Sequence, residues 1–393
     1  MITGEGRDVP ERQERVSLGT IAVEWGRIGC TGFGGPPTHI LLLRRLCVER
    51  RGWLSAEEFE DGIAATNLLP GPASTQLAVF TAWRLRGAPG ALVGGACFIV
   101  PGLLLILALS VLFLSDAPPA WVLGAAAGAG AAVPAVAVHA AAALVPGSWA
   151  RAGGTDGGTD GDRAGRARWI GYAVAGAVAA LLTGPWLVLV LLAAGLAEVA
   201  VRQRSLTLPL VLGALPATGG LGALAWVAFK VGALSYGGGF VIIPLMRADA
   251  VERYGWMTDG QFLNAVALGQ ITPGPVVQTV AVVGYAAAGL GGGLLAAAVA
   301  FAPSFLFVLF GARHFDRLRA DRRVQSFLTG AGPAVVGAIA GSSVPLALGL
   351  EYGWQTAVLA LALAWLLAAR RSVVACLLLA GTAGALIGPW YGL

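Results

Sequence analysis

Asn67-Leu68-Leu69-Pro70-Gly71-Pro72 closes one apolar segment and opens another, and 203 positions later the chain writes it again as Gln270-Ile271-Thr272-Pro273-Gly274-Pro275. Upstream, Gly29-x-x-x-Phe33-Gly34-Gly35 and Val48-Glu49-Arg50-Arg51-Gly52-Trp53 return at the same offset. There they read Gly232-x-x-x-Tyr236-Gly237-Gly238 and Val251-Glu252-Arg253-Tyr254-Gly255-Trp256. Roughly 20 of the 70 positions from Gly29 to Phe98 are identical in the second copy without a gap, which marks an internal duplication. Gly/Pro breaks at matching places in two apolar halves are the sequence sign of a transporter built from repeats.

Composition sets the solvent. Of 393 residues, 57% are hydrophobic and 12% charged, with a mean hydropathy of +0.76; soluble domains carry about 25% charged residues. The long apolar runs therefore read as transmembrane helices, and the 58 glycines suit helices whose backbones approach closely. The net charge of +5 comes from arginines in short loops between apolar spans, where a membrane protein keeps its positive charge, so no nucleic-acid partner is expected. Cys30, Cys47, Cys97 and Cys376 lack paired spacing, and His39, His139 and His314 are scattered, so no metal site or disulfide framework is indicated. The mixed-charge first residues do not read as a cleavable signal peptide.

The expected class is an all-α polytopic membrane protein. Its parts are a polar tail (1–15), a first repeat (16–205) with a flexible, Gly/Asp-rich loop at 147–168, a linker (206–220) and a second repeat (221–393). In the first repeat, helices are expected over Ser17–Thr31, from the Gly32–Pro37 break to Arg51, and over Ala56–Leu69, Ala73–Leu85, Gly90–Leu114, Pro119–Val145, Arg168–Leu182 and Pro185–Val201. The second repeat follows with Leu221–Ser235, Gly239–Tyr254, Gly260–Thr272, Val276–Ala288, Gly291–Phe310, Val324–Leu348, Trp354–Ala369 and Ser372–Ile387. Ser55-x-x-Glu58 and Thr258-x-x-Gln261 are capping boxes that start a helix just after each Trp. From there to Pro-Gly-Pro is about 15 residues, or roughly 22 Å, too short to cross about 30 Å of hydrocarbon upright. Each Pro-Gly-Pro is therefore expected at the tip of a re-entrant hairpin, with Trp53 and Trp256 at the interface.

Loop charge orients the halves. Ser115–Pro118 has no Lys or Arg, Gly147–Arg168 has four Arg and Thr183–Gly184 none. The matching loops reverse this: Ala312–Arg323 has five Arg, Gly349–Gly353 none, and Arg370-Arg371 is basic. Corresponding loops then face opposite sides, which makes the halves an inverted repeat of about ten crossings in all, plus the hairpins and broken helices. Arg44, Arg45, Arg50, Arg51, Arg84, Arg86, Arg202 and Arg204 fall in the cytoplasm, and both termini outside.

Four breaks carry the functional reading: Gly32–Pro37, Pro70–Pro72, Gly237–Gly239 and Pro273–Pro275. Each opens a helix, and a helix start presents unpaired N–H groups and partial positive charge. Four such starts meeting at mid-depth would make an anion site; the plainer alternative is that Gly and Pro kink packed helices. Arg27 and Lys230 are equivalent across the repeat and sit inside apolar spans, where a cation needs a cavity or a partner. They would neutralise a divalent anion. Otherwise Arg27 pairs with Glu24 one turn away, while Lys230, with Val227 at the matching place, snorkels. Asn67, Ser74, Thr75, Gln76, Gln270, Thr272 and Gln278 can donate hydrogen bonds to oxyanion oxygens or cap the broken helices. Glu24 and Asp61, set deepest in apolar sequence, are candidates to carry a proton or to sit in ion pairs. Glu49-Arg50, Glu252-Arg253, Arg44 and Arg247 read as holding the interfacial turns. No nucleophile–base set, zinc motif, phosphate loop or haem spacing is present, so neither catalysis nor a cofactor is expected.

Together, Phe33-Gly34-Gly35-Pro36, Arg51-Gly52-Trp53, Asn67 to Pro72, Tyr236-Gly237-Gly238-Gly239 and Pro273-Gly274-Pro275 resemble the chromate ion transporter family, long-chain type. The resemblance covers nearly the whole chain as two copies of one domain. It implies an inner-membrane protein that exports chromate, a tetrahedral divalent oxyanion resembling sulfate, on the proton-motive force, and so confers chromate resistance. This agrees with the reading of the residues, since chromate needs about two positive charges and several donors, and Arg27, Lys230 and the helix starts at the breaks would supply both. Gly239 replaces the proline after the glycine pair and Gln270 replaces Asn67, so the halves need not bind alike. Competing readings are a carrier or channel for sulfate or another oxyanion, a flippase or enzyme acting on lipid phosphates, and a membrane scaffold. Oligomeric state stays open, a homo-oligomer included.

Overall fold

The computed structural model describes residues 16–68, 71–115, 118–153, 159–182, 186–203, 219–235, 242–311 and 321–391. The described residues are helical throughout, without strands. Ser17 caps α1 (Leu18–Thr31) by accepting from the Thr20 N–H, and the helix ends at Gly32. After the break, α2 (Pro36–Arg44) starts on two prolines; their ring-fixed φ suits a first turn, where no N–H is needed. It runs into a π-helical turn at Arg45–Arg50. Next come α3 (Ala56–Leu68), α4 (Ala73–Phe113), α5 (Ala120–Ala152), α6 (Thr159–Leu182) and α7 (Leu187–Gln203). The second half consists of α8 (Leu221–Leu234), α9 (Ile242–Arg247) with a π turn at Ala248–Arg253, α10 (Asp259–Ile271), α11 (Thr279–Gly311), α12 (Arg322–Leu348), α13 (Gly353–Leu363) with a π turn at Ala364–Ala368, and α14 (Val373–Ile387).

The duplication recurs in the backbone. The bounds of α1, the first π turn and α3 lie 203 residues before those of α8, the second π turn and α10. Both capping boxes form: Ser55 N–H donates to Glu58 and Glu58 N–H to the Ser55 hydroxyl, and Thr258 and Gln261 repeat the exchange. Past the Pro-Gly-Pro turns the ungapped register fails by one residue. The kink of α4, where Gly87 holds φ 63°, ψ −151°, recurs in α11 at Gly289 with φ 63°, ψ −157°. That is an offset of 202, and a conformation that glycine adopts without a Cβ penalty. The lost residue is taken up where α4 begins directly after Pro72 but α11 is preceded by a 3₁₀ turn, Val276–Gln278.

Other boundaries also move. The loop expected at 147–168 is mostly helix, because α5 continues to Ala152 and α6 begins at Thr159. The separations expected at Leu85–Gly90 and Ala288–Gly291 are present: non-helical backbone at Arg86–Gly87 and Ala288–Gly289 parts α4 and α11 into two segments each, and these fold back on one another, Gly94 against Ala82 and Gly284 against Gly292. Among the described residues five helical stretches, two of them containing a kink, combine the length and apolarity to cross a membrane: Ala73–Phe113, Ala120–Ala152, Val276–Gly311, Arg322–Leu348 and Val373–Tyr391. The other helices are too short or too polar at one end: α1 and α8 have 14 residues each, and α6 opens with Arg163, Arg166 and Arg168. The chain is an integral membrane protein.

The halves interlock. Within each, the first helix lies on the kinked one: α1 on α4, and α8 on α11. Across the divide α4 packs on α11 and α5 on α12, while α12 also carries α6 and α7, and α5 carries α13 and α14. Glycine permits these approaches. A Cβ on Gly29 would stand 2.6 Å from the Phe98 carbonyl, and its equivalent Gly232 meets the Ala300 carbonyl in the same way. Gly176, Gly337 and Gly341 do this between α6 and α12, and Gly128 and Gly384 between α5 and α14. Such small-residue seams bind helices where apolar contact alone gains nothing over lipid.

Candidate functional site

The first break of one half meets the Pro-Gly-Pro turn of the other. Gly274 donates its backbone N–H to the Gly32 carbonyl at 3.1 Å, and a Cβ on Gly35 would touch Val276. On the other side Gly71 lies beside the Gly232 carbonyl, two residues past Lys230. Gln278 reaches from α11 into α4, donating to the Ile99 carbonyl at 2.8 Å. Gly34 (φ 99°), Gly35 (74°), Gly71 (121°) and Gly274 (100°) hold left-handed backbone that residues with a Cβ resist.

The polar groups at these turns are buried. Ser74 lies 3.3 Å from His39 Nδ1, and His39 Nε2 sits 2.8 Å from the Gly32 carbonyl. His39, fully buried and edge-on to Phe98, thus ties the first break to the start of α4. The Thr75 hydroxyl, Gln270 Nε2, Gln278 Oε1 and the Ser235 hydroxyl are buried without a hydrogen-bond partner among the described residues. Each lies within about four residues of a break, and unsatisfied buried groups are rare enough to need a reason. The Thr272 hydroxyl is used locally, donating to the Leu268 carbonyl. Pro36 stands half-buried and Phe33 exposed, and Pro72, Pro273 and Pro275 are buried. Asn67 falls in the last turn of α3. Pro70, Tyr236, Gly237, Gly238 and Gly239 lie outside the described residues. No cluster of metal-ligating side chains occurs among the described residues.

The charged residues are arranged differently from the sequence expectation. Glu24 does not pair with Arg27; Arg51 takes it at 2.6 Å, because the π turn swings Arg51 back over α1, where its guanidinium also covers the Trp53 ring. Lys230 does not snorkel; its Nζ lies 2.5 Å from Asp249 Oδ2 in the second π turn. Asp249 is 1% exposed, and its other oxygen is 4.0 Å from Arg253. A half-turn of 3.6-periodic reading misplaces Asp249, since only the π turn's extra residue brings it round to α8. Arg27 is exposed on α1 without an ion pair among the described residues, and Asp61 is exposed on α3. Arg44 binds Glu60 at 2.9 Å, and its equivalent Arg247 binds Glu252 and Asp259, so these arginines do hold the interfacial turns. Arg84 pairs with Glu58.

An open cleft of about 810 Å³ runs to the first break. It is lined by Phe33, Gly34 and Thr38 of the first break and α2, by Ile271 and His139, and by Arg370, Arg371 and the first turn of α14. The basic pair was legible only as a loop-charge signal; its place beside Phe33 depends on α14 packing against α5 and α10.

The family model described as chromate transporter matches residues 19–199 and again 222–386. A chromate transport protein of Cupriavidus metallidurans is 32% identical over 91% of this chain and 89% of its own. One from Pseudomonas aeruginosa is 31% identical over 93% and 91%, and an uncharacterized transporter of Methanocaldococcus jannaschii is 24% identical over 97% of both. No solved structure matches the chain. Two family matches, one on each half of a helical membrane protein whose breaks meet across the divide, place this chain in the chromate transporter family.

Proposed function

We propose that the chain is a secondary transporter, not an enzyme, that exports chromate across the plasma membrane on the proton-motive force and so confers chromate resistance. The observation that carries this is the seating of one half's Pro-Gly-Pro turn on the other half's break through Gly274 and Gly32. Around that contact stand the buried Thr75 and Ser235 hydroxyls and Gln270 Nε2, without a hydrogen-bond partner among the described residues, and the start of α4, whose first N–H groups favour an anion. The relatives' printed names supply the ion. The two halves act as inverted repeats in this reading, with α3 and α10 as re-entrant arms: each has 13 residues, about 20 Å of helix. Rocking one half against the other about the shared turn would open the site to each side in turn.

A tetrahedral dianion needs about two positive charges and several donors. Arg27, which forms no ion pair among the described residues, supplies one cation, and Thr75 and Gln270 supply donors, with Ser74, Thr272 and Gln278 beside them. Lys230 supplies the second only when Asp249 releases it. Asp249 therefore joins Glu24 and Asp61 as a carboxylate on which a proton would couple to transport: protonated, it no longer holds Lys230, which then meets the oxyanion.

Labelled chromate uptake into everted membrane vesicles tests the reading. Accumulation that needs the proton gradient is expected. Uptake that ignores the gradient would make the protein a channel, and full block by sulfate with no chromate movement would make it a carrier of another oxyanion.

A further inference from the structure

We infer that Arg370 and Arg371 form an anion-capture station that draws the oxyanion into the cleft before it reaches the breaks; this rests on the oxyanion-transport reading above. Three observations carry it. Both arginines are exposed and form no ion pair among the described residues, whereas the carboxylates of the interfacial turns are matched by Arg44, Arg51, Arg84 and Arg247. Both line the same cleft as Phe33 and Gly34, so the two charges and the first break share one volume. Arg370 also holds φ 51°, the one left-handed non-glycine residue among those described.

That backbone is imposed by its surroundings. The Arg371 N–H donates to the Trp365 carbonyl, and the Trp365 indole N–H donates to the Ser372 carbonyl, which closes the turn from both sides. Glycine ordinarily ends helices in this conformation because it has no Cβ to clash. An arginine there costs stability, and strain of this sort is kept where the side chain does something. Two adjacent guanidiniums on one cleft concentrate a dianion and speed its arrival, and their planar forks suit tetrahedral oxyanions. The equivalent loop of the first half, Thr183-Gly184, has no basic residue. The station is thus one-sided, as capture from a single compartment requires.

Initial rates of chromate uptake into everted vesicles, at low and high potassium chloride, test this in wild type and in R370Q/R371Q, R370K/R371K and R370G. For R370Q/R371Q, KM should rise about tenfold and lose most of its salt dependence, while Vmax changes by less than about twofold. R370K/R371K should restore most of the capture. R370G relieves the left-handed strain, so it should melt higher than wild type yet still show a raised KM, an effect that a structural role for Arg370 would not produce. An unchanged KM in both R370Q/R371Q and R370G, with wild type moving chromate, would overturn the capture station alone. Wild-type vesicles that move no chromate would overturn the substrate reading and the station with it.

Discussion

Lys230 and Asp249 form a buried ion pair, Nζ to Oδ2 2.5 Å, that ties the first helix of the second half to its π turn. The first half makes the same tie with the signs exchanged and at other positions, from Glu24 on α1 to Arg51 just past its π turn. Duplication kept the joint and not the residues, so each half fastens its broken segment independently.

Breaking the Lys230–Asp249 pair from one side should hurt more than removing it. Lys230→Ala leaves a buried carboxylate and should cost about 3 kcal/mol or more, with export lost, while Lys230→Ala/Asp249→Ala should recover much of the stability. Thermal melts of the purified variants, with vesicle uptake alongside, measure both. Equal destabilisation by the single and double changes would contradict a coupled pair.

Arg27→Ala should separate folding from function. Its side chain is exposed and forms no ion pair among the described residues, so the stability should stay within the range of ordinary surface changes, about 0.5 kcal/mol. Chromate export should vanish in the same preparation. A well-expressed Arg27→Ala protein that still confers full resistance would remove this residue from the site.

Gly102→Ala tests the contact between halves. A Cβ there would collide with the Pro273 carbonyl and the Gln278 amide. The turn would have to shift, at about 1–3 kcal/mol for overpacking, and uptake should fall with it. Gly147→Ala, where nothing lies within reach of a Cβ, is the control and should behave as wild type.

The capping box at Ser55 has a pH signature. Glu58 is held below its usual 4.5 by the Ser55 backbone N–H and then by Arg84. Its folded value is depressed, so its stabilisation is full above about pH 4.5 and fades as pH falls through the lower folded value. Glu58→Gln, which keeps the side chain's length and loses its charge, should cost stability at pH 7 and progressively less as pH falls toward 3, where the wild-type carboxylate also loses its charge. Melting curves of wild type and variant across that range check it.

Much of this was legible in the sequence because it rests on local chemistry. Ser17, Ser55 and Thr258 mark helix starts, Pro36 and Pro72 restart helices, and the identities between Gly29 and Phe98 expose the duplication. What escaped depends on backbone detail or on distant packing. A π turn inserts one residue, so Asp249 cannot be assigned to Lys230, nor Arg51 to Glu24, from a 3.6-residue period. The slip at Val276–Gln278 hid the true partner of Gln76, which is Gln278. His39 reads as one of three scattered histidines until α2 folds it under Gly32. Arg370 and Arg371 read as a topology signal until α14 sets them beside Phe33.

The exchange of partners between halves, α12 holding α6 and α7 while α5 holds α13 and α14, bears on how the molecule is made. As the ribosome delivers the first half, α6 and α7 have only each other and the edge of α5 to settle on, and the glycine seam at Gly176 lacks its partner until Ala334 arrives. Assembly in the bilayer must therefore wait for the last third of the chain. A message truncated in the second half would yield a first half with its seams open, a natural target for membrane quality control.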